Sequence, residues 1–196
     1  FIGFWSGATI GLFGALGKTY GGPITVKLVN WYVIFFTNTP GLVTAFFIFF
    51  GLPEFGILLS PYHTILLNIA LNSGAYMTEI MRGGFVSVHK TELEAAETMG
   101  FTLLQQLRYV IVPHIAKVLF APLSNWYIWM ILGTAMAAIF GVEELTGRVF
   151  NRAAETFRSI ELYTIAAGMY VAITILASAI LVVIGRWAFR VKVKVF

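Results

Sequence analysis

Four long stretches without a charged residue place the strongest constraint on how this chain can fold. They hold 26 residues between Lys27 and Glu54, 24 between Glu54 and Glu79, 25 between Lys117 and Glu143, and 24 between Glu161 and Arg186. About 20 apolar residues cross the hydrocarbon core of a membrane as a helix. Runs such as residues 45–50, Ala-Phe-Phe-Ile-Phe-Phe, lack the alternation that membrane β-strands show. The pattern therefore predicts an all-α integral membrane protein.

We predict five transmembrane helices in a single domain that covers residues 1–196. The spans fall at about 1–16, 31–52, 61–82, 115–140 and 162–187. The first is short for a crossing at about 1.5 Å per residue, and we expect it to be a truncated helix. The sequence also predicts a polar segment at 83–114 and an amphipathic helix at 141–161.

The composition excludes several kinds of catalytic and metal site. The 196 residues contain no Cys and no Asp, and only 11% of them are charged. A disulfide framework, a thiol nucleophile and an Asp-rich calcium loop are therefore excluded. The three histidines, His63, His89 and His114, have no metal-ligand spacing. We expect no catalytic residue, no metal and no cofactor on this chain.

Basic residues are distributed unequally between the two sides of the predicted membrane. Ten of the 13 Lys and Arg residues fall on one side, and Arg148, Arg152 and Arg158 fall on the other. Cytoplasmic loops carry an excess of Lys and Arg, so the side with ten is predicted to be cytoplasmic. The N-terminus then lies outside and the C-terminus inside. This topology accounts for the net charge of +4 without nucleic-acid binding.

Residues 87–108 predict short amphipathic helices on the cytoplasmic side. Apolar or small residues recur at helical spacing and predict one apolar face: Leu93, Ala96, Gly100, Leu103 and Leu107. Thr91 and Glu94 have the spacing of a capping box, Gly100 predicts a helix end, and Pro113 predicts the end of a second helix. By composition alone the segment could rest on the membrane surface. Its Glu-rich polar face favours a protein partner instead.

The same segment carries a family resemblance. Glu94-Ala95-Ala96, Gly100 and Ile111-Val112-Pro113 resemble, in this order, the EAA loop of bacterial ABC-importer permeases. Residues 74–84, GAYMTEIMRGG, are similar to the stretch before that loop in permeases for polar amino acids. Residues 122–126 and 134–136 resemble the next span. The resemblance runs from about residue 17 to 190 and implies a type I ABC importer permease, with a coupling helix between the third and fourth spans.

This resemblance implies a function and a set of partners. The chain would form the path for ATP-driven uptake of polar amino acids across a bacterial plasma (inner) membrane. Residues 87–113 would contact a cytoplasmic ATPase through Glu94, Ala95, Ala96, Gly100 and Pro113. The implied partners are two ATPase subunits that bind ATP and magnesium, a second permease subunit, identical or homologous, and an extracytoplasmic substrate-binding protein. This chain has no phosphate-binding Gly-rich loop, so ATP hydrolysis is expected elsewhere.

Polar residues inside the predicted spans are candidates for the substrate path. Asn68, Asn72 and Glu79 fall on one stripe of the 61–82 span, and Asn125 and Thr134 lie in the next. Such residues are costly in a membrane and either line a path or bond helices together. For the amides both roles stay open. For Glu79 an ion pair with Arg82, three residues on, is favoured.

Two alternatives concern the function, and a third concerns the outer segment. The chain could be an ABC-importer permease for another small solute. An ion-coupled secondary transporter fits the composition, but neither inverted repeats nor buried acid pairs are evident. The 141–161 helix could dock the binding protein or simply connect two spans. Gly7 and Gly11 are predicted to allow close contact between helices.

Overall fold

The structure, a computed structural model, describes residues 1–189. Every regular element in this range is helical, which confirms the all-α prediction. The α-helices are α1 (Ile2–Tyr20), α2 (Pro23–Asn38), α3 (Gly41–Phe46), α4 (Pro61–Val86), α5 (Lys90–Thr98), α6 (Leu103–Gln106), α7 (Val112–Gly133), α8 (Leu145–Thr156) and α9 (Ser159–Ile184). Short π and 3₁₀ segments extend α3 to Phe55 and α7 to Phe140. Three residues of the predicted cytoplasmic basic set, Arg190, Lys192 and Lys194, lie outside the described residues.

Helix α4 is the centre of the molecule. It packs against α1, α2, α3 and α7. The largest fully buried side chains all lie on it: Thr64, Asn68, Met77 and Thr78. Three of these four side chains are polar. The helices packed around α4 shield them from the apolar surroundings, which lowers the cost of burying them.

Glycines bring α1 close to α4. Gly3, Gly7 and Gly11 are spaced by four residues and are all buried. A Cβ atom on Gly11 would lie 2.5 Å from Cβ of Met77, and one on Gly7 would lie 2.6 Å from Cβ of Ser73. Any larger side chain would separate the two backbones. The close contact predicted for Gly7 and Gly11 is confirmed.

The interval predicted as one span at 31–52 is not one continuous helix. Helix α2 ends at Asn38, α3 begins at Gly41, and the two directions differ by 105°. Pro40 lacks an N–H, and the residue before a proline is restricted to extended conformations. Thr39 accordingly has φ −109° and ψ 128°. The Thr39–Pro40 pair thus turns the chain sharply beside α4.

A continuous helical stretch runs from Leu103 to Phe140, so the prediction that Pro113 ends a helix is wrong. Residues 107–111 form a π turn, and Pro113 follows at the start of α7. Inside a continuous helix a proline lacks the N–H that would bond the preceding turn, and its ring crowds that turn. The local widening by the π turn lets the chain continue through this position.

Between residues 1 and 189, two helices are long and apolar enough to cross a membrane. These are Leu103–Phe140 and Ser159–Ala188, and the bent pair Pro23–Asn38 with Gly41–Phe55 counts as a third if it crosses once. Helix α4 is less apolar because it carries polar groups that bond to other helices, among them Asn68 and Glu79.

Candidate coupling surface and membrane cleft

A sharp elbow separates α5 from α6. Gly100 has φ +77°, a conformation that side chains disfavour. Its N–H donates to the Glu97 carbonyl (2.8 Å), and the N–H of Phe101 donates to the Ala96 carbonyl (3.0 Å). This pair of hydrogen bonds is the Schellman motif that closes a helix. The helix end predicted at Gly100 is confirmed.

The capping box predicted at Thr91 and Glu94 is wrong. Helix α5 begins at Lys90 after His89, so Thr91 already lies inside the first turn. A capping box does form eleven residues later, at the start of α6. There the Gln105 N–H donates to Oγ1 of Thr102 (3.4 Å), and the Thr102 N–H donates to Oε1 of Gln105 (2.8 Å). The capping box therefore belongs to the second helix of the elbow, not to the first.

The elbow exposes both polar and apolar groups. Glu94, Ala95, Gly100 and Pro113 are exposed, whereas Ala96 is 3% exposed. The predicted single apolar face does not form, because the chain turns at Gly100 and starts a separate helix. Large apolar side chains on both sides of the turn are exposed: Met99 before it, and Leu103 and Leu104 after it. We call the exposed set Glu94, Ala95, Met99, Leu103 and Leu104 the coupling surface.

His114, to which the sequence assigned no role, contacts the elbow from α7. Its Nδ1 is 3.5 Å from Oε2 of Glu92 on α5. Its Nε2 is 3.2 Å from Oγ of Ser87, at the end of α4. The three residues span 27 positions of the chain, so no local pattern could have revealed the cluster.

A polar network joins α3 to α4 at the sharp turn. Oγ1 of Thr44 lies 2.6 Å from Oδ1 of Asn68, and Nδ2 of Asn68 donates to the Gly41 carbonyl (3.1 Å). Nδ2 of Asn72 lies 3.1 Å from Oγ1 of Thr44 and 3.0 Å from the Asn68 carbonyl. Asn68 is 1% exposed. Its amide therefore joins α4 to α3, which is one of the two roles predicted for it.

Beside this network lies a cleft of about 460 Å³ between α2, α3, α4 and α7. The following residues line it: Thr37, Asn38, Thr39, Pro40, Gly41, Asn68, Ile69, Asn72, Ser73, Tyr76, Trp126, Trp129, Met130, Gly133 and Met136. Among these residues, all of them described, none is charged. The rings of Tyr76 and Trp126 stack in its wall with centroids 4.5 Å apart. The indole Nε1 of Trp126 is buried without a hydrogen-bond partner in the described part of the chain.

The five predicted path residues do not share one site. Asn68 and Asn72 line the cleft. Thr134 is exposed, donates to the Ile131 carbonyl (2.6 Å) and lines a different, mostly apolar pocket, and Asn125 is exposed on α7. Sequence reasoning missed Asn38 and Tyr76 as lining residues. The segment 37–40, Thr-Asn-Thr-Pro, was the available signal, because three polar residues and a proline interrupt an apolar run.

Glu79 lies between two cations. Its Oε2 accepts from Nε of Arg82 (3.0 Å), which is the predicted pair, and its Oε1 is 2.5 Å from Nζ of Lys18 on α1. Both carboxylate oxygens are therefore engaged within the protein. The arrangement ties the ends of α1 and α4 together, which supports the structural role that the sequence favoured for Glu79.

Comparison with known proteins gives a family and several relatives. Residues 7–192 match the family model described as "Binding-protein-dependent transport system inner membrane component". The chain is 35% identical over 182 residues to the glutamine transport system permease protein GlnP of Escherichia coli (strain K12), with 92% of this chain and 83% of that protein covered. It is 30% identical to the L-cystine transport system permease protein TcyL of Bacillus subtilis (strain 168), with 96% and 78% covered.

Solved structures agree with these sequence relatives. A crystal structure of an amino acid ABC transporter with histidines matches at a TM-score of 0.87 and 31% identity, over 95% of this chain and 87% of that one. The MetNI methionine ABC transporter in an inward-facing conformation matches at a TM-score of 0.75 and 17% identity, which concerns the fold alone. The type I permease fold and the resemblance drawn from the Glu94-Ala95-Ala96 segment are thereby confirmed. The chain belongs to the family of inner membrane components of binding-protein-dependent transport systems, and it is a permease subunit, not an enzyme.

Proposed function

We propose that this chain is the permease subunit of an importer that takes up polar amino acids with energy from ATP. The exposed coupling surface is the observation that carries this proposal, because it presents Glu94 and Ala95 of the EAA segment together with unpartnered apolar groups. The named substrates of two relatives are the amino acids glutamine and cystine, which supports this substrate class. Another small solute remains the alternative substrate.

The coupling surface would bind a cytoplasmic ATPase that holds ATP and magnesium. Glu94 supplies a charge, Ala95 allows close approach, and the turn at Gly100 presents Met99 and Leu103 beside them. Exposed apolar groups rimmed by polar ones are typical of protein interfaces. Pro113 lies further along, at the base of α7, where motion of the elbow would enter the membrane.

The proposal includes the predicted orientation of the chain in the membrane. Lys18 and Arg82, both predicted to be cytoplasmic, meet at Glu79 in the folded chain, which supports placing them on one side. The N-terminus would lie outside and the C-terminus inside the plasma (inner) membrane, with five spans counted as predicted. Two permeases, two ATPases and an extracytoplasmic binding protein would complete the importer. Helix α8 would then lie outside, either docking the binding protein or connecting two spans.

The cleft would form part of the substrate path. It lies where the chain is sharply bent, and interrupted helices are typical of transport sites in membrane proteins. Asn72 offers amide chemistry there, and Tyr76 and Trp126 offer flat apolar faces. Asn68 holds the walls in place. Asn125 and Thr134 remain path candidates outside the cleft, and Glu79 is a structural anchor near its cytoplasmic end.

Replacement of Glu94 by Arg tests the coupling role. The permease is purified with its ATPase, and uptake of radiolabelled L-glutamine into proteoliposomes is measured with the binding protein present. We expect Glu94→Arg to lose the bound ATPase and the ATP-dependent uptake. Glu54→Arg, an exposed charge reversal before the start of α4, serves as the matched control and should retain the ATPase. Uptake driven by an ion gradient without ATP would refute the proposal.

A further inference from the structure

The imidazole of His114 bridges three elements at the coupling surface. His114 lies in the first turn of α7, Glu92 belongs to α5, and Ser87 follows the end of α4. Of the nine residues of α5, only Ala96 is buried. Helix α5 therefore has few packing contacts of its own, and a side chain that links it to α4 and α7 has a large influence on its position.

Both nitrogens of the His114 ring face acceptors. Oγ of Ser87 lies 2.7 Å from the Gly84 carbonyl and donates its hydrogen there, so it presents lone pairs to Nε2 of His114. The carboxylate of Glu92 has no hydrogen to donate to Nδ1. A neutral imidazole carries one N–H, whereas the imidazolium carries two. The protonated ring is thus the form that satisfies both contacts at once.

Among the charged or titratable groups on α4, α5 and α7, Glu92 is the acid that contacts His114. On α4, Arg82 is held by Glu79, and before α7, Arg108 lies 5.6 Å over the ring of Tyr109. The remaining charged or titratable groups along α5 and α7 are exposed, and within the described residues no ion pair joins them to His114: His89, Lys90, Glu94, Glu97 and Lys117. Glu92 therefore supplies the carboxylate that lies at the His114 ring.

We propose that His114 is a positioning residue: when protonated it holds α5 against α4 and α7, and it releases α5 when it loses its proton. Histidine changes its charge between about pH 5 and 8, so α5 is held in the acidic part of this range and released as the pH rises. The inference rests on the proposed coupling role of α5 for its effect on transport. The contacts that hold α5 in place all lie within this chain and need no partner protein.

A spin label on α5 tests the holding directly. Because the chain has no cysteine, Glu97→Cys introduces a single exposed labelling site on α5. The purified, labelled permease is reconstituted in lipid vesicles, and the mobility of the nitroxide is measured by EPR from about pH 5.5 to about pH 8.5. We expect the mobile fraction to rise about two- to fivefold across this range, the size expected when one half-exposed ion pair is lost. A label at Glu155→Cys on α8 should not respond.

Variants at His114 and Glu92 test whether His114 causes the pH dependence of the label's mobility. In His114→Gln and in Glu92→Gln the α5 label should be mobile at every pH, and in His114→Lys, which stays charged, it should be restrained throughout. A pH response in wild type that persists in His114→Gln overturns the proposal. So does a wild-type label whose mobility does not change with pH, and this second test needs no variant at His114.

The complete importer shows the functional consequence. With ATPase and binding protein present, we expect the amount of L-glutamine moved per ATP to fall about two- to fivefold with rising pH in wild type and to be independent of pH in His114→Lys. Loss of ATPase binding in Glu94→Arg reports on the proposed function separately. If the label responds as expected while Glu94→Arg retains full ATP-driven uptake, the holding of α5 stands and the coupling role of its surface fails.

Discussion

The hydroxyl of Thr44 and the amide of Asn68 are 2.6 Å apart, and this contact fixes the sharp turn at Thr39–Pro40 against α4. Thr44 lies four residues after the turn on α3, and Asn68 lies on the central helix. Asn68 also donates to the carbonyl of Gly41. One buried amide therefore bonds two groups of the short helix that follows the turn, and the cleft lies alongside.

Asn68→Leu should destabilise the permease by about 1–3 kcal/mol, because the Gly41 carbonyl, the Thr44 hydroxyl and the Asn72 amide lose a buried partner. Thermal unfolding of the purified protein in detergent measures the change. Asn125→Leu, at an exposed position on α7, is the matched control and should unfold near the wild-type temperature. Equal stability of the two variants would show that the network does not support the turn.

Gly11→Ala should be strongly destabilising although alanine favours helices. The added Cβ would lie 2.5 Å from Cβ of Met77, so α1 and α4 must separate, and overpacking of this kind costs about 1–3 kcal/mol. Gly168→Ala on α9 is the control, because nothing lies within 4 Å of its new Cβ. There the higher helix propensity of alanine should leave stability unchanged or raise it by up to about 1 kcal/mol. Unfolding temperatures of the two variants provide the comparison.

Local sequence patterns predicted some of these features well. The four-residue spacing of Gly7 and Gly11 indicated a close helix contact, and Gly100 indicated a helix end, because each signal depends on neighbours along one helix. The pairing of Lys18 with Glu79 joins residues 61 positions apart, and periodicity carries no information about such a partner.

The continuous helix through Pro113 and the cleft could not be predicted for related reasons. Pro113 follows a π turn at 107–111, and the proline itself gives no sign of that turn. The cleft is assembled from residues near 40, 70 and 130, so its lining appears only after four helices have packed. Asn125 and Thr134, predicted from their polarity alone, accordingly lie outside it.

Gly100→Ala should weaken binding of the ATPase more than it alters the fold. A left-handed conformation costs a residue with a Cβ about 1–2 kcal/mol, and the elbow can relieve that strain by changing the angle between α5 and α6. We expect a dissociation constant for the ATPase about five- to thirtyfold higher than in wild type. Gly83→Ala on α4 has an open environment and no left-handed backbone, so it should bind normally. Pull-down titrations with the purified ATPase distinguish the two.

Lys18 and Glu79 should show a favourable coupling energy. The pair is half-exposed, and we expect about 0.5–1 kcal/mol from a double-mutant cycle of Lys18→Met and Glu79→Gln. If Glu79 is an anchor, Glu79→Gln should also transport with an unchanged KM for L-glutamine. A large rise in KM with normal stability would instead assign Glu79 to the substrate path.

Trp126 tests whether the cleft binds substrate. Trp126→Ala removes the partner of Tyr76 in the stacked wall, and aromatic pairs contribute about 0.5–1.5 kcal/mol. If substrate rests on this wall, KM for L-glutamine in proteoliposomes should rise about two- to tenfold.

Trp126→Phe keeps an aromatic face but removes the buried, unpartnered Nε1, so a smaller rise in KM is expected if the aromatic face matters more than the N–H donor. Trp187→Ala, at a highly exposed position beyond α9, is the matched tryptophan control. A KM unchanged in Trp126→Ala, with ATPase binding intact, would place the substrate path elsewhere.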